Sequence, residues 1–208
     1  MSRTLIHALH VFKSGDTSTA TTEVNGLIRG SLVVKDAESI GIGGHIRPDG
    51  DCVGACMALY LYLRKVFPEK SVELFLERPS EVFHCIKDID KIRTDVMEGG
   101  SYDGDFDVFI ALDTVKERLG AAQPLFDRAG KTVNIDHHIS NKGCGTVNYI
   151  DPHASSTSEL IFRAIEEEKL DVEIAKAIYI GIVHDTGVFR YSSTSPETLA
   201  IASKLVAF

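Results

Sequence analysis

No apolar run in this chain approaches the roughly 18–20 residues of a membrane span, so a membrane partner is not expected. The opening Met1-Ser-Arg-Thr-Leu-Ile-His-Ala-Leu-His10 has no long apolar stretch and no small-residue cleavage site, and does not read as a signal peptide. Cysteine is scarce. Cys52, Cys56, Cys85 and Cys144 form no Cys-x-x-Cys pair, which argues against a zinc knuckle and a disulfide framework. A reducing cytoplasm fits that usage best. Positive charge is short as well: 22 Lys and Arg stand against 30 Asp and Glu, a formal net charge of −8. A surface that wraps long nucleic acid needs cations to displace counterions, and no basic run supplies them. If the protein handles phosphorylated molecules, most of the positive charge must come from bound metal, which favours small substrates over long polymers.

The remaining composition is that of a globular protein. Hydrophobic residues make up 44% and charged residues 25%, ordinary values for one domain with a sizeable core. Residues 1–36 read as a lead, flexible at the polar stretch Thr17-Ser-Thr-Ala-Thr-Thr22. From Ile40 onward the pattern is regular. Short apolar runs suit buried strands at 40–43, 72–76, 108–112 and 132–135. Helical patterns fall between and after them at 52–66, 155–168, 172–183 and 196–206, with a short helix at 80–87. Ser156-Thr-Ser-Glu159 has the spacing of a capping box. Ser195-Pro196-Glu197 places Pro at the first helical position and an acid in the first turn. Alternation of this kind predicts an α/β fold, a mainly parallel sheet with helices on both faces. Ligands of such sheets sit beyond the carboxyl ends of the strands.

Four acidic or histidine clusters each follow an apolar run, where such a site should lie. The first is His45-Ile-Arg-Pro48-Asp49-Gly50-Asp51, a Pro-Asp-Gly turn that can aim Asp49 and Asp51 at two adjacent ions. The second is Asp113, after Val108-Phe-Ile-Ala-Leu112. The third is Asp136-His137-His138, after Thr132-Val-Asn-Ile135. The fourth is Asp185, in Gly181-Ile-Val-His-Asp185-Thr-Gly187. Each has a plain structural alternative: a polar loop, a turn cap, satisfied histidines, a helix C-cap closed by Gly187. Carboxylates and imidazoles are ligands of divalent metals, and four such clusters on one predicted sheet edge favour the metal reading.

In order and spacing these clusters resemble the motifs of the DHH phosphoesterase superfamily, over about residues 37–205. The segments 147–159 and 181–196 resemble its branch of oligoribonucleases that degrade nano-RNA and also dephosphorylate 3′-phosphoadenosine 5′-phosphate (pAp). The resemblance implies that His45 and Asp49 hold one metal, that Asp51, His137 and Asp185 hold a second, and that Asp113 bridges the two. It implies that His138 faces the substrate phosphate as a hydrogen-bond donor, while Asp136 orients the histidines. Mn²⁺ is the cofactor it implies, two ions per site, with Mg²⁺ or Co²⁺ as substitutes. Two ions about 3.5–4 Å apart share a water and lower its pKa, and the resulting metal-bound hydroxide attacks phosphorus.

Very short RNA, linear dinucleotides such as pApA, and pAp are the expected substrates. A manganese pyrophosphatase is the alternative within enzymes, ahead of a cyclic-dinucleotide phosphodiesterase, whose usual sensory and membrane regions have no counterpart here. A binding module that keeps the DHH fold is the alternative outside them. Against it, crowded carboxylates repel one another without metal. The expected organisation is a lead at 1–36 and a DHH catalytic domain at 37–208, without the branch's C-terminal substrate domain; a homodimer is the assembly left open. Arg190 suits a substrate phosphate by geometry or, equally, a surface salt bridge. Arg47 is a further candidate for the phosphate, but neighbouring metals would make that a crowded cationic site. Cys52 and Cys56 read as small buried helix residues, His184 as packing on a helix face, and Glu166-Glu167-Glu168 as a solvated helix end.

Overall fold

In the computed structural model the described residues are 32–208. Thr17–Thr22, and all but the end of the lead, lie outside them. A helical turn at Leu32–Lys35 precedes a five-stranded sheet, β1 (Ser39–Gly43), β2 (Ser71–Phe75), β3 (Val108–Leu112), β4 (Lys131–Asp136) and β5 (Val147–Ile150). The spatial order is β2-β1-β3-β4-β5, and every neighbouring pair is parallel. The four apolar runs of the sequence became β1 to β4 within a residue or so. The fifth strand had no such signal. Only Tyr149 of Val147-Asn-Tyr-Ile150 is buried, because β5 lies at the sheet edge and needs no continuous apolar run.

The helices that matter for the site are α1 (Gly50–Val66), α2 (Gln123–Arg128), α3 (Thr157–Ala164), α4 (Val172–Asp185) and α5 (Pro196–Val206). The reading of 155–168 as one helix was too long. The chain leaves the helix at Ile165 in an extended conformation, and Glu167–Lys169 form a separate 3₁₀ turn. Three adjacent glutamates at a helix C-terminus would face the negative end of its dipole; here they sit past it, partly or fully exposed. Region 80–87 holds only the 3₁₀ turn Glu81–Phe83. The capping box also moved. Ser156 caps α3 by accepting from Glu159 N, but the reciprocal pair stands at Ser195 and Thr198, at the start of α5.

The two faces of the sheet are covered differently. Ile40, Ile42, Val108, Ile110, Leu112, Val133 and Ile135 join the larger core with residues of α1, α3 and α4. The opposite side of the pleat carries Phe75, Phe109 and Ala111, which pack with Leu119, Ala122, Leu125 and Phe126 around α2. Period-two alternation in β1, Ile-Gly-Ile-Gly, assigns the isoleucines to one face and leaves glycines on the other. A Cβ on Gly41 would lie 2.5 Å from the Phe109 ring, so the glycine is what allows that ring to lie flat over β1. On the larger face α1 is buried almost all round. A Cβ on Gly54 would lie 2.6 Å from Ala177 O, so α1 and α4 meet at near-backbone contact. That crossing brings the start of α1 and the end of α4 to the same sheet edge.

Candidate metal centre

All four clusters converge at the carboxyl ends of β1, β3 and β4. His45 follows β1 and is buried. Its Nδ1 lies 2.8 Å from the carbonyl of Ile46. Donation by Nδ1–H there leaves Nε2 as the free lone pair, 3.7 Å from Asp49 Oδ1 and 3.5 Å from Asp113 Oδ2. Fixing one ring nitrogen so that the other can ligate is how proteins set a histidine tautomer. Asp49 is the N-cap of α1, and its Oδ1 accepts from Asp51 N and Cys52 N, both at 3.1 Å.

Asp51, in the first turn of the helix, is completely buried. Its two oxygens accept from the first backbone amides of α3, Thr157 N at 2.6 Å and Ser158 N at 2.9 Å. Unsatisfied amides at a helix start are natural partners for an anion. That α3 start is itself held in place by Glu159. This buried carboxylate accepts from Ser155 Oγ at 2.5 Å and Thr198 Oγ1 at 2.7 Å and pairs with Arg163.

Asp113 sits at the centre. It follows β3 with a left-handed backbone, φ 58°, a conformation that Asp tolerates better than most residues. Its amide donates to Ile135 O at 3.0 Å and its Oδ1 accepts from Thr157 Oγ1 at 2.9 Å. Oδ2 faces His45, while Oδ1 lies 3.8 Å from His137 Nε2 and 3.5 Å from His138 Nδ1. His137 Nε2 also lies 3.8 Å from Asp51 Oδ2 and 3.3 Å from Asp185 Oδ2. Asp185 is the last residue of α4, followed by left-handed Gly187. The helix thus ends where the helix-end reading expected, with Thr186 as its C-cap. Asp136 ends β4; its Oδ1 accepts from His138 N at 3.0 Å and lies 2.7 Å from His138 Nδ1, and its Oδ2 accepts from Asn141 Nδ2 at 2.6 Å. Arg190 is exposed, and no described residue forms an ion pair with it. Arg47 is exposed as well, with its amide donating to Glu77 Oε2.

Electrostatics follow from this crowding. Burial, with Asp113 and Asp185 nearby, pushes the Asp51 carboxyl well above the usual carboxylate range. Asp185 is raised too, by burial first; His137 and His138 pull it down, and repulsion from Asp113 and Asp49 adds to the burial. Burial opposes ionisation of Asp49, but hydrogen bonding from His45 and the Cys52 amide outweighs it and holds the group low. His138 is raised, chiefly by its bond to Asp136. A set of buried carboxylates that resist ionisation together is a site that a divalent cation would relieve.

Donor atoms of His137 lie within 4.8 Å of those of Asp51 and Asp185 as one group, and of Asp113 and His138 as another. Two further groups bring in side chains that the sequence left outside the site: His45 with Cys52 and Asp113, and Asp49 with His184 and Asp185. His184 lies over Gly50, its ring in a T-shaped contact with Phe83. Also unforeseen were Thr157 and Ser158, which grip Asp51, and Asn134 and Asn141. Asn134 is buried in β4 and donates to Ala111 O and Thr114 O, while Asn141 donates to Thr114 O, Asn134 Oδ1 and Asp136. The signal for Asn134 was present: an amide inside an apolar strand must find partners.

The fold and the site together define an α/β protein with a carboxylate–imidazole centre for divalent cations at the carboxyl edge of a parallel sheet. The model of the DHH family, N-terminal domain, matches residues 39–182, and the chain belongs to that family. It is 31% identical over 170 residues to the bifunctional oligoribonuclease and PAP phosphatase NrnA of Bacillus subtilis, covering 79% of this chain and 51% of that protein. The NrnA of Thermus thermophilus is 28% identical, with 85% and 52% covered. Among solved structures, an exopolyphosphatase-related protein from Bacteroides fragilis superposes with a TM-score of 0.70 at 27% identity, covering 83% of this chain and 53% of that one. The chain spans about half the length of the curated relatives it matches. Among the described residues no helix is long and apolar enough to cross a membrane.

Proposed function

We propose that this chain is the catalytic unit of a two-metal phosphoesterase acting on short oligoribonucleotides, linear dinucleotides and pAp. The observation that carries this reading is Asp113, whose two oxygens face different imidazoles, His45 on one side and His137 on the other. In this reading His45 and Asp49 hold one cation, Asp51, His137 and Asp185 hold the other, and Asp113 is shared. Oxygen and imidazole donors suit Mn²⁺, with Mg²⁺ or Co²⁺ as substitutes. Bound there, two cations would neutralise phosphate charge and activate water for in-line attack.

The chain's own residues supply the rest. His138 is 47% exposed, and Asp136 holds its Nδ1, which leaves Nε2 to donate to a phosphate oxygen as negative charge develops. Its raised pKa favours the protonated, donating form. Asp136 acts through His138 as a positioning residue. Arg190, exposed and without an ion-pair partner among the described residues, is assigned to a substrate phosphate. The nucleotide class rests on the names of the curated relatives and on the acidic composition, which disfavours long polymers. Residues 37–208 are taken as the catalytic unit, working in the cytoplasm, and the described cysteines are all free. A side-by-side assay of pAp, pApA, a five-nucleotide RNA and pyrophosphate with Mn²⁺ tests the reading. Turnover of the nucleotides ahead of pyrophosphate is expected, and the reverse order would replace it with a pyrophosphatase.

A further inference from the structure

We propose that Cys52 is a thiolate ligand of the cation held by His45 and Asp113, so that this position takes a softer divalent metal than its neighbour does. The inference rests on the two-metal reading and deepens it. Cys52 Sγ, a His45 nitrogen and an Asp113 oxygen lie within 4.8 Å of one another, and all three residues are buried. Donors around a tetrahedral ion with metal–ligand distances of about 2.0–2.3 Å stand roughly 3.3–3.8 Å apart, so closure by about 1 Å completes the set. Asp49 Oδ1, 3.7 Å from His45 Nε2, is the fourth donor.

The local structure aims the sulfur there. Asp49 caps α1 by accepting from Cys52 N, which fixes the first helical turn against the end of β1. Gly44 then leaves the space that the sulfur occupies, since a Cβ built on Gly44 would overlap Cys52 Sγ. Cys56, one turn further along α1, is equally buried but belongs to no donor group.

One nitrogen, one sulfur and two carboxylates make a different ligand set from Asp51, Asp113, His137 and Asp185. Thiolate favours Zn²⁺, Co²⁺ or Fe²⁺ over Mn²⁺, whereas the sulfur-free position suits Mn²⁺ or Mg²⁺. As the metal–sulfur bond forms, the thiol proton passes to solvent, as for any coordinated cysteine. The centre is therefore built for two unlike ions.

Titration of the metal-free protein with Co²⁺, followed by electronic absorption, tests this. Ligand-field bands report that cobalt is bound at all; a sulfur-to-cobalt charge-transfer band reports the thiolate bond. The wild type should show both. Cys52→Ser should keep the ligand-field bands and lose the charge-transfer band entirely, and Cys56→Ser should keep both. Ligand-field bands without charge transfer in the wild type would overturn the cysteine ligand and leave the two-metal reading intact. So would a charge-transfer band that survives Cys52→Ser and disappears in Cys56→Ser. Absence of both bands at saturating Co²⁺ would overturn the metal reading itself, and the cysteine ligand with it.

Discussion

A lone carboxylate at one edge of the sheet and the crowded Asp51 and Asp185 at the other are shifted in opposite directions. At the amino edge Asp107 accepts from Glu38 N, Ser39 N and Ser39 Oγ, each within 3.0 Å. Those donors hold it below the usual range, the Ser39 amide most of all. At the carboxyl edge Asp51, Asp113 and Asp185 crowd together, and burial raises Asp51 and Asp185. Asp51 rises even though two amides serve it. Donors to a lone carboxylate stabilise the fold. Donors to one of several buried carboxylates fix its position while mutual repulsion works against ionisation. The first arrangement is complete without a ligand; the second awaits positive charge.

The largest test of that contrast is at its centre. Asp113→Ala should lower phosphoesterase turnover by on the order of 10³-fold, the scale of removing one charge-stabilising group, because the residue is assigned to both cations. Steady-state kinetics on pAp at saturating Mn²⁺ would measure it, and near-normal turnover would remove Asp113 from the shared position. Asp136→Asn should cost about 10–100-fold, as for other partners that orient site histidines. The loss should fall on kcat, with Mn²⁺ affinity less affected, since Asp136 holds His138 and not a proposed ligand.

Stability should move in the other direction. Asp185→Asn should stabilise the metal-free protein by about 0.5–2 kcal/mol, the usual yield of relieving a charge conflict, and should weaken the rise in Tm that Mn²⁺ gives the wild type. The pH dependence has a definite sign. A carboxylate with a raised folded pKa contributes stability below its unfolded value and loses it as pH climbs through the folded one. The advantage of Asp185→Asn should therefore grow from acid to neutral pH, and thermal melts across that range would show a flat difference if the crowding is not real.

The smallest effect belongs to the amino edge. Asp107 is exposed, and solvent weakens such contacts. Asp107→Asn should lower Tm slightly at neutral pH. Its folded pKa is depressed, so its contribution is present above the unfolded value and lost as pH falls through the folded one. The gap to wild type should close on strong acidification, opposite in trend to Asp185→Asn. Parallel trends would mean that the two edges do not differ.

Much of this was legible from local pattern. Apolar runs marked β1 to β4 because parallel strands buried on both faces are mostly apolar, and the residues following three of those runs stand at the site. Signals weakened wherever burial was one-sided or charge intervened: β5 at the edge, and the early end of α3 before its glutamates. The capping-box spacing at Ser156 was real, but Glu159 turned from the cap to its neighbours Ser155 and Arg163 and to Thr198, which another helix supplies.

By itself, the sequence determined the strands that end at the site and the carboxylates and imidazoles that follow them, because strand periodicity and ligand chemistry are properties of short segments. Only the tertiary structure decided that the first amides of α3 hold Asp51, that Asn134 and Asn141 tie the end of β4 to Thr114, and that His184 and Cys52 stand close to the carboxylates and imidazoles. The places of His184 and Cys52 depend on the close approach of α1 and α4 at Gly50 and Gly54 and on the space at Gly44. A close approach between segments far apart in the chain leaves no local pattern to read.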